Sequence, residues 1–217
     1  MKLINRICNL LFPPKCVLCG KLTTGNETDL CHTCRLETQE HTGKPFSISF
    51  VANWLALWYY EGNVRSSLLR YKFSNRRSYA SVYGRLLAMK LLPLREEVDI
   101  LTWIPISTRR RNRRGYDQVA LLAQAVGKEL GMPAIPVLKK IKHNPPQSGI
   151  TGHAQRKANV LGVYRARPSV DISGKRILLL DDIITTGATC SECARTLLTA
   201  GAKEVTCAAM AAAKHQP

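Results

Sequence analysis

Acidic residues, long apolar runs and repeats are all scarce in this chain, and each shortage narrows what it can be. Asp and Glu together number 15 against 32 Lys and Arg in 217 residues, a formal net charge of +17. That balance points to anionic partners such as nucleotides, polyphosphates, nucleic acid or an acidic membrane face. No apolar run approaches the roughly 20 residues a membrane-spanning helix needs. The first apolar stretch is interrupted by Asn5, Arg6 and Asn9 and stopped by Pro13-Pro14, so neither a secretory signal nor a transmembrane segment is expected, and the reading is a cytoplasmic protein. Met1 to Phe12 suit a short amphipathic helix with Leu3, Ile4, Ile7, Leu10 and Leu11 on one side, docked either on the protein's own core or peripherally on the inner membrane face. Internal repeats and low-complexity tracts are lacking, and no helix-turn-helix pattern supports a transcription regulator. A chain of this length suits one ordinary domain with a small appendage and can fold without disulfides.

The charge is unevenly spread. Residues 61–170 hold 21 Lys and Arg against six Asp and Glu, whereas residues 171–217 hold five of each. The excess therefore lies mid-chain, as expected of one face or rim around a site. The segment from Lys15 to about Lys44 is poor in large apolar residues and needs something other than a core to order it. Beyond it, Trp54 to Tyr60 reads as a strand, followed by helices over Asn63–Phe73 and Ser78–Leu92. Asp99 to Ser107 reads as a buried strand, and Asp117–Leu130 as a helix stopped by Gly131 and Pro133. Lys142 to about Lys157, rich in Pro and Gly, reads as a long exposed loop of the kind that forms lids. Lys175 to Leu180 reads as a central parallel strand, Ala188–Ala200 as a helix, and Glu204–Met210 as the next strand. The pattern predicts an α/β doubly wound sheet with ligands at the carboxyl ends of its strands.

At the end of that central strand stand Asp181 and Asp182, followed by Ile-Ile-Thr-Thr-Gly-Ala-Thr to Thr189. Two carboxylates can accept hydrogen bonds from the two hydroxyls of a ribose. The amides of Thr186, Gly187, Ala188 and Thr189 at a helix start form a nest for a terminal phosphate, and Thr185, Thr186 and Thr189 add hydroxyl donors. Gly187 keeps a Cβ out of the way of the phosphate. An acidic N-cap would account for one Asp and one Thr, but not for the whole string.

This string resembles the fingerprint of type I phosphoribosyltransferases, in which the acidic pair holds ribose and the Thr/Gly turn its 5-phosphate. Four further features, in order, resemble the ComF/GntX-like branch of that superfamily across almost the whole chain: the Cys-x-x-Cys segment near the N-terminus; Tyr60 with Lys72-Phe73; Arg113-Arg-Gly-Tyr-Asp-Gln118 in place of the usual Arg-Gly-Phe-Asn-Gln; and Gln147, Arg156 and Asn159. Asp117 and Asn144 depart from that pattern, which usually has Asn and Thr. The resemblance implies a type I phosphoribosyltransferase fold, a parallel twisted sheet flanked by helices, over 49–217, with an N-terminal helix and zinc ribbon over 1–48. It implies phosphoribosyl pyrophosphate as ligand with Mg²⁺, and a pyrophosphate turn at Ile104-Pro-Ile-Ser107 served by Ser107, Lys72 and nearby arginines. Asp181, Asp182 and Arg156 are then the catalytic candidates, Arg156 closing over the reacting bond. It also implies the alternative of single-stranded DNA handling with DNA-uptake proteins in natural competence, using the same ligand site.

Cys16-Val-Leu-Cys19 and Cys31-His-Thr-Cys34, separated by eleven residues, supply four thiolates that can meet around one structural zinc ion. Such an ion contributes on the order of 10 kcal/mol to a segment without its own core. His32 or His41 could replace a cysteine, and redox chemistry is the competing use of such pairs. Cys190 and Cys193 form a third pair, but they continue through Ala194, Leu197 and Gly201 at helical spacing and read as buried and inert, like Cys8 and Cys207. Finally, Arg109, Arg110, Arg111, Arg113 and Arg114 place five guanidiniums in six residues directly after the candidate pyrophosphate turn. They could serve the diphosphate, track a nucleic-acid backbone, or be a solvated basic loop. Trp54, Trp58, Trp103, Tyr59 and Tyr60 could stack on bases, although in strands such residues more often belong to the core.

Overall fold

The computed structural model describes residues 13–23, 29–42, 46–142 and 160–214. The expected N-terminal helix, Cys8, and the loop bearing Asn144, Gln147, Arg156 and Asn159 lie outside the described residues. A four-stranded sheet forms the centre. It contains β1 (Asn53–Tyr59), β2 (Ile100–Trp103), β5 (Arg176–Ile184) and β6 (Glu204–Ala212), in the order β1-β6-β5-β2 with every pairing parallel. The helices are α1 (His32–Glu37), α2 (Gly62–Phe73), α3 (Tyr79–Leu91), α4 (Thr108–Arg114), α5 (Gln118–Leu130) and α6 (Ala188–Thr199).

Both faces of the sheet are covered, which is why its strands are near-continuous apolar runs. Side chains alternate across β5: Leu178 and Leu180 enter the core under α2, α3 and α5, while Ile177 and Leu179 enter the core under α6. Trp54 and Trp58, weighed above as base-stacking residues, are buried in the two cores. α3 and α5 cross closely because Gly84 has no side chain. A Cβ there would stand 2.4 Å from that of Ala125.

Three differences from the sequence reading matter for the site. β2 stops at Trp103, and Pro105, which has no amide to give a ladder, lies in the turn that follows. β5 instead runs on through Asp181 and Asp182 to Ile184, because β6 continues to pair with it as far as Ala212. Beyond Leu180 one edge of β5 is therefore left open above the end of β2. The third difference is an antiparallel hairpin, β3 (Leu138–Lys140) with β4 (Tyr164–Ala166), whose three-residue strands are too short to show an alternation in the sequence.

The cysteine segment packs on α2 and α3. Cys16, Val17 and Leu18 are almost wholly buried and join the same core as Leu68, Tyr71 and Tyr83. Arg85 of α3 forms an ion pair with Asp29.

Candidate phosphoribosyl site and zinc centre

At the open edge of β5 lies a cavity of about 450 Å³, lined by Lys72 and Phe73 of α2, the turn Ile104 to Ile106, Arg110, Arg113 and Arg114 of α4, Gln118 of α5, Lys140 and Tyr164 of the hairpin, and Asp181, Asp182, Thr185 and Thr189. The topology gathers them. Carboxyl ends of parallel strands open on one side, and the helices that follow them start there.

The two carboxylates are not equivalent. As neighbours in one strand they point to opposite faces. Asp182 is 6% exposed and faces α2 and α5, where Lys72 Nζ lies 2.9 Å from its Oδ1 and Gln118 Nε2 donates to its Oδ2 at 2.7 Å. Burial alone would raise its pKa, but Lys72, the Gln118 bond and Arg114 hold it below the ordinary carboxylate range. Asp181 faces α6 and the hairpin, so its charge is felt by Lys140, Tyr164 and Cys193. Burial first, and the Asp182 charge second, push it up to about 8. The two neighbouring carboxyls are thus shifted in opposite directions, Asp181 up and Asp182 down.

Lys140 is the counterpart on the hairpin. Burial, with Arg110 adding to it, lowers its pKa to about 8. Its Nζ lies 3.4 Å from the Tyr164 hydroxyl and over that ring, and among the described residues it forms no ion pair. Lys140 and Tyr164 carry no signal in the sequence, because nothing local marks three-residue strands that bend over a site. Gln118 stands out in the sequence only as the end of the Arg113–Gln118 motif.

The arginine run becomes a helix, capped at its start by the Ser107 hydroxyl, which accepts from Arg110 N at 3.3 Å, and at its end by left-handed Gly115. Helical geometry splits the run. Arg110, Arg113 and Arg114, at i, i+3 and i+4, line the cavity, with the Arg114 guanidinium 4.8 Å from the centre of the Phe73 ring. Arg109 and Arg111 are exposed and do not line it. Ser107 is itself buried as that cap.

Asp117, where the chain departs from the resemblance, has a structural role. Its Oδ1 accepts from Val119 N and Ala120 N at 3.0 Å, capping α5, and its Oδ2 accepts from Ile106 N at 3.3 Å. One side chain thereby fixes the turn after β2 to the next helix. Tyr116 and Tyr71 complete the tie: the Tyr116 hydroxyl donates to the Tyr71 carbonyl, and the Tyr71 hydroxyl donates to Gln118 O at 2.6 Å.

In the Thr/Gly turn, Gly187 has φ +72° and precedes α6. A Cβ at Gly187 would stand 2.7 Å from the Ile48 side chain, so packing against Ile48 requires glycine here before any ligand is considered. Thr185 and Thr189 reach the cavity; Thr186, Gly187 and Ala188 do not line it, and among the described residues the Thr186 hydroxyl is buried without a hydrogen-bond partner.

Cys16, Cys19, Cys31 and Cys34 converge, their Sγ atoms all within 4.8 Å of one another and those of Cys19 and Cys31 3.7 Å apart. A tetrahedral zinc ion with Zn–S bonds of about 2.3 Å requires S···S edges of about 3.8 Å, so the donor set fits zinc. His41 packs instead against the rings of Trp54 and Tyr59. Cys190, Cys193 and Cys207 are buried, and the thiols of the first two are pushed well up, Cys190 by the neighbouring Cys207 thiol and by burial, and Cys193 chiefly by burial.

Comparison with known proteins agrees with both parts. Residues 119–217 match the phosphoribosyl transferase domain family, and residues 7–46 match the double zinc ribbon domain family. The parallel sheet and its open edge therefore define a phosphoribosyltransferase-fold protein. Among its relatives, competence protein ComFC of Streptococcus pneumoniae is 30% identical over 175 residues, spanning 81% of this chain and 71% of that protein. DNA utilization protein YhgH of Escherichia coli K12 is 28% identical over 200 residues, 88% and 86% of the two chains, and competence protein F of Haemophilus influenzae is 28% identical over 143 residues, 63% and 62%. The chain belongs to the ComF-like family of phosphoribosyltransferase-fold proteins with an N-terminal zinc ribbon.

Proposed function

We propose that this protein binds phosphoribosyl pyrophosphate with Mg²⁺ in the cavity above β5 and transfers the phosphoribosyl group to an acceptor. The observation that carries the reading is the meeting of Asp181 and Asp182 with the start of α6 on one side and Lys72, Arg110, Arg113, Arg114 and Lys140 on the other. Ribose hydroxyls suit the carboxylates, the 5-phosphate suits the turn before α6, and the diphosphate suits the basic wall. In transfer the acceptor's lone pair forms a bond to C1 of ribose as the bond from C1 to pyrophosphate breaks; the leaving oxygen keeps the electron pair and the acceptor gives its proton to solvent. Fixed cations and Mg²⁺ favour that step where the negative charge grows. Ser107 contributes by holding the pyrophosphate turn as the cap of α4. Arg156, outside the described residues, is the proposed cation that closes over the reacting bond.

A second reading, handling of single-stranded DNA with DNA-uptake proteins, is favoured by Arg109 and Arg111, which face solvent rather than the cavity. The relatives' names, which refer to competence and DNA utilization, point the same way. Among the described residues no helix is long and apolar enough to cross a membrane.

Thermal shift with phosphoribosyl pyrophosphate and Mg²⁺ tests the first reading. The ligand is expected to raise the Tm of the wild type and to leave a variant carrying Asp181→Ala and Asp182→Ala unmoved. Equal immobility of both proteins sinks it.

A further inference from the structure

The zinc ribbon and the ligand cavity grip opposite sides of one helix. On α2, Asn63, Ser67 and Arg70 stand at i, i+4 and i+7 and form a single stripe. Asn63 Nδ2 lies 3.9 Å from Cys34 Sγ; the Ser67 hydroxyl donates to the Val17 carbonyl and lies 2.6 Å from the Tyr83 hydroxyl; and Arg70 donates to the Leu18 carbonyl. Val17 and Leu18 are the two residues between Cys16 and Cys19, so these bonds hold the ribbon's first knuckle by its backbone. At 100° per residue, Lys72 lies about 180° round the helix from Asn63. There it forms its ion pair with Asp182, while Tyr71 beside it is bonded at both its hydroxyl and its carbonyl to the segment that carries Gln118, the second partner of Asp182.

Nothing soft separates the two sides. Ser67, Leu68, Tyr71 and Tyr83 are each 0% exposed. A close-packed core passes on a shift of a helix rather than absorbing it. Four-thiolate ligation, together with the backbone bonds from Gly20 N to Cys16 O and from Cys16 N to Lys21 O, holds Cys16 and Cys19 in the turn that presents the knuckle carbonyls to Ser67 and Arg70. α2 is therefore seated from one side by the ribbon and from the other by Asp182.

We propose that Ser67 and Arg70 are positioning residues which, through α2, make zinc retention by the four cysteines and formation of the Lys72–Asp182 pair mutually dependent. Coupling of this kind is reciprocal: whatever strengthens one end strengthens the other.

The test uses the full zinc-loaded chain with all four cysteines intact and follows zinc transfer to a chromophoric pyridylazo chelator. Lys72→Met is expected to lower zinc affinity by about fivefold, the low end of ordinary coupling free energies, and, with zinc entry to the four cysteines unchanged, to speed release by the same factor. Lys72→Arg, which keeps the pair, is expected to release at the wild-type rate. In an Arg70→Met background, Lys72→Met is expected to add nothing, since the link is already cut. Leu197→Ala, in the core on the other sheet face, serves as a control for general loss of stability and is expected to leave the rate unchanged. The proposal is overturned if Lys72→Met releases zinc at the wild-type rate, if it accelerates release equally with and without Arg70→Met, or if Leu197→Ala accelerates it as much. A ligand arm rests on the function proposed above: phosphoribosyl pyrophosphate with Mg²⁺ is expected to slow release in the wild type and not in Arg70→Met. Failure of the ligand to bind counts against that function, while the variants still decide the coupling.

Discussion

Lys72 Nζ lies 2.9 Å from Asp182 Oδ1, with 14% and 9% of the two side chains exposed. A pair this dry depends on both partners, and removing one leaves an uncompensated buried charge. Lys72→Met is expected to destabilise the ligand-free protein by about 3–5 kcal/mol, and adding Asp182→Asn to recover a large part of the loss. Denaturant unfolding measures both. Because the folded pKa of Asp182 is depressed, the stability it contributes is present above the ordinary carboxylate value and is lost as pH falls through the folded one. Acid unfolding of Asp182→Asn should accordingly be less steep than that of the wild type.

Asp181 carries the opposite sign. Its pKa rises in the folded protein from an ordinary 3.8 to about 8. The favourable contribution is whole below the ordinary value and is lost as pH rises towards the folded one. Asp181→Asn is expected to be increasingly stabilised relative to the ligand-free wild type across that window. A Tm difference that does not grow with pH would count against the raised value. Binding of Mg²⁺ with phosphoribosyl pyrophosphate to the carboxylate form should also release protons near neutrality, read as a dependence of the calorimetric heat on buffer ionisation enthalpy.

The division of the arginine run by α4 separates two functions. Arg110→Met and Arg114→Met are expected to weaken binding of phosphoribosyl pyrophosphate, each by about 1–3 kcal/mol, as for other charge-assisted bonds. Arg109→Met and Arg111→Met should leave that affinity alone and lower the salt dependence of single-stranded DNA binding by about one unit of slope each. The reverse pattern, measured by calorimetry and by fluorescence anisotropy in graded salt, would contradict the split.

Gly187 gives a test that needs no ligand. With φ at +72° and the Ile48 side chain 2.7 Å from where a Cβ would stand, Gly187→Ala is expected to cost about 1–3 kcal/mol. Placed in an Ile48→Ala background the same change should cost less, leaving only the backbone share. Equal costs in both backgrounds would remove Ile48 from the explanation.

Much of this protein was legible in its residues taken in order. The apolar run ending in Asp181-Asp182, the Thr and Gly after it, and the Cys16, Cys19, Cys31 and Cys34 spacing each specify a local chemistry within a short stretch. They announced the strand, the turn and the metal centre together with the family. Buried Cys190 and Cys193 were equally readable from their helical spacing. Asp117 stands in the sequence at the start of a helix and as a departure from the family pattern; its hold on the amide of Ile106 while it caps that helix needed the turn and the helix to be seen together.

What tertiary structure alone decided is how the parts face one another. The sequence sets Asp181 beside Asp182, but β6 continuing past the end of β2 keeps both in a strand, sends them to opposite faces and separates their ionisation. Lys72 and Lys140 reach the cavity from residues far from it along the chain. Five consecutive-looking arginines become two groups because a helix turns 100° at each residue. Local spacing fixes which chemical groups the chain owns. Only packing, which acts between residues distant in sequence, fixes which of them meet and what charge they carry when they do.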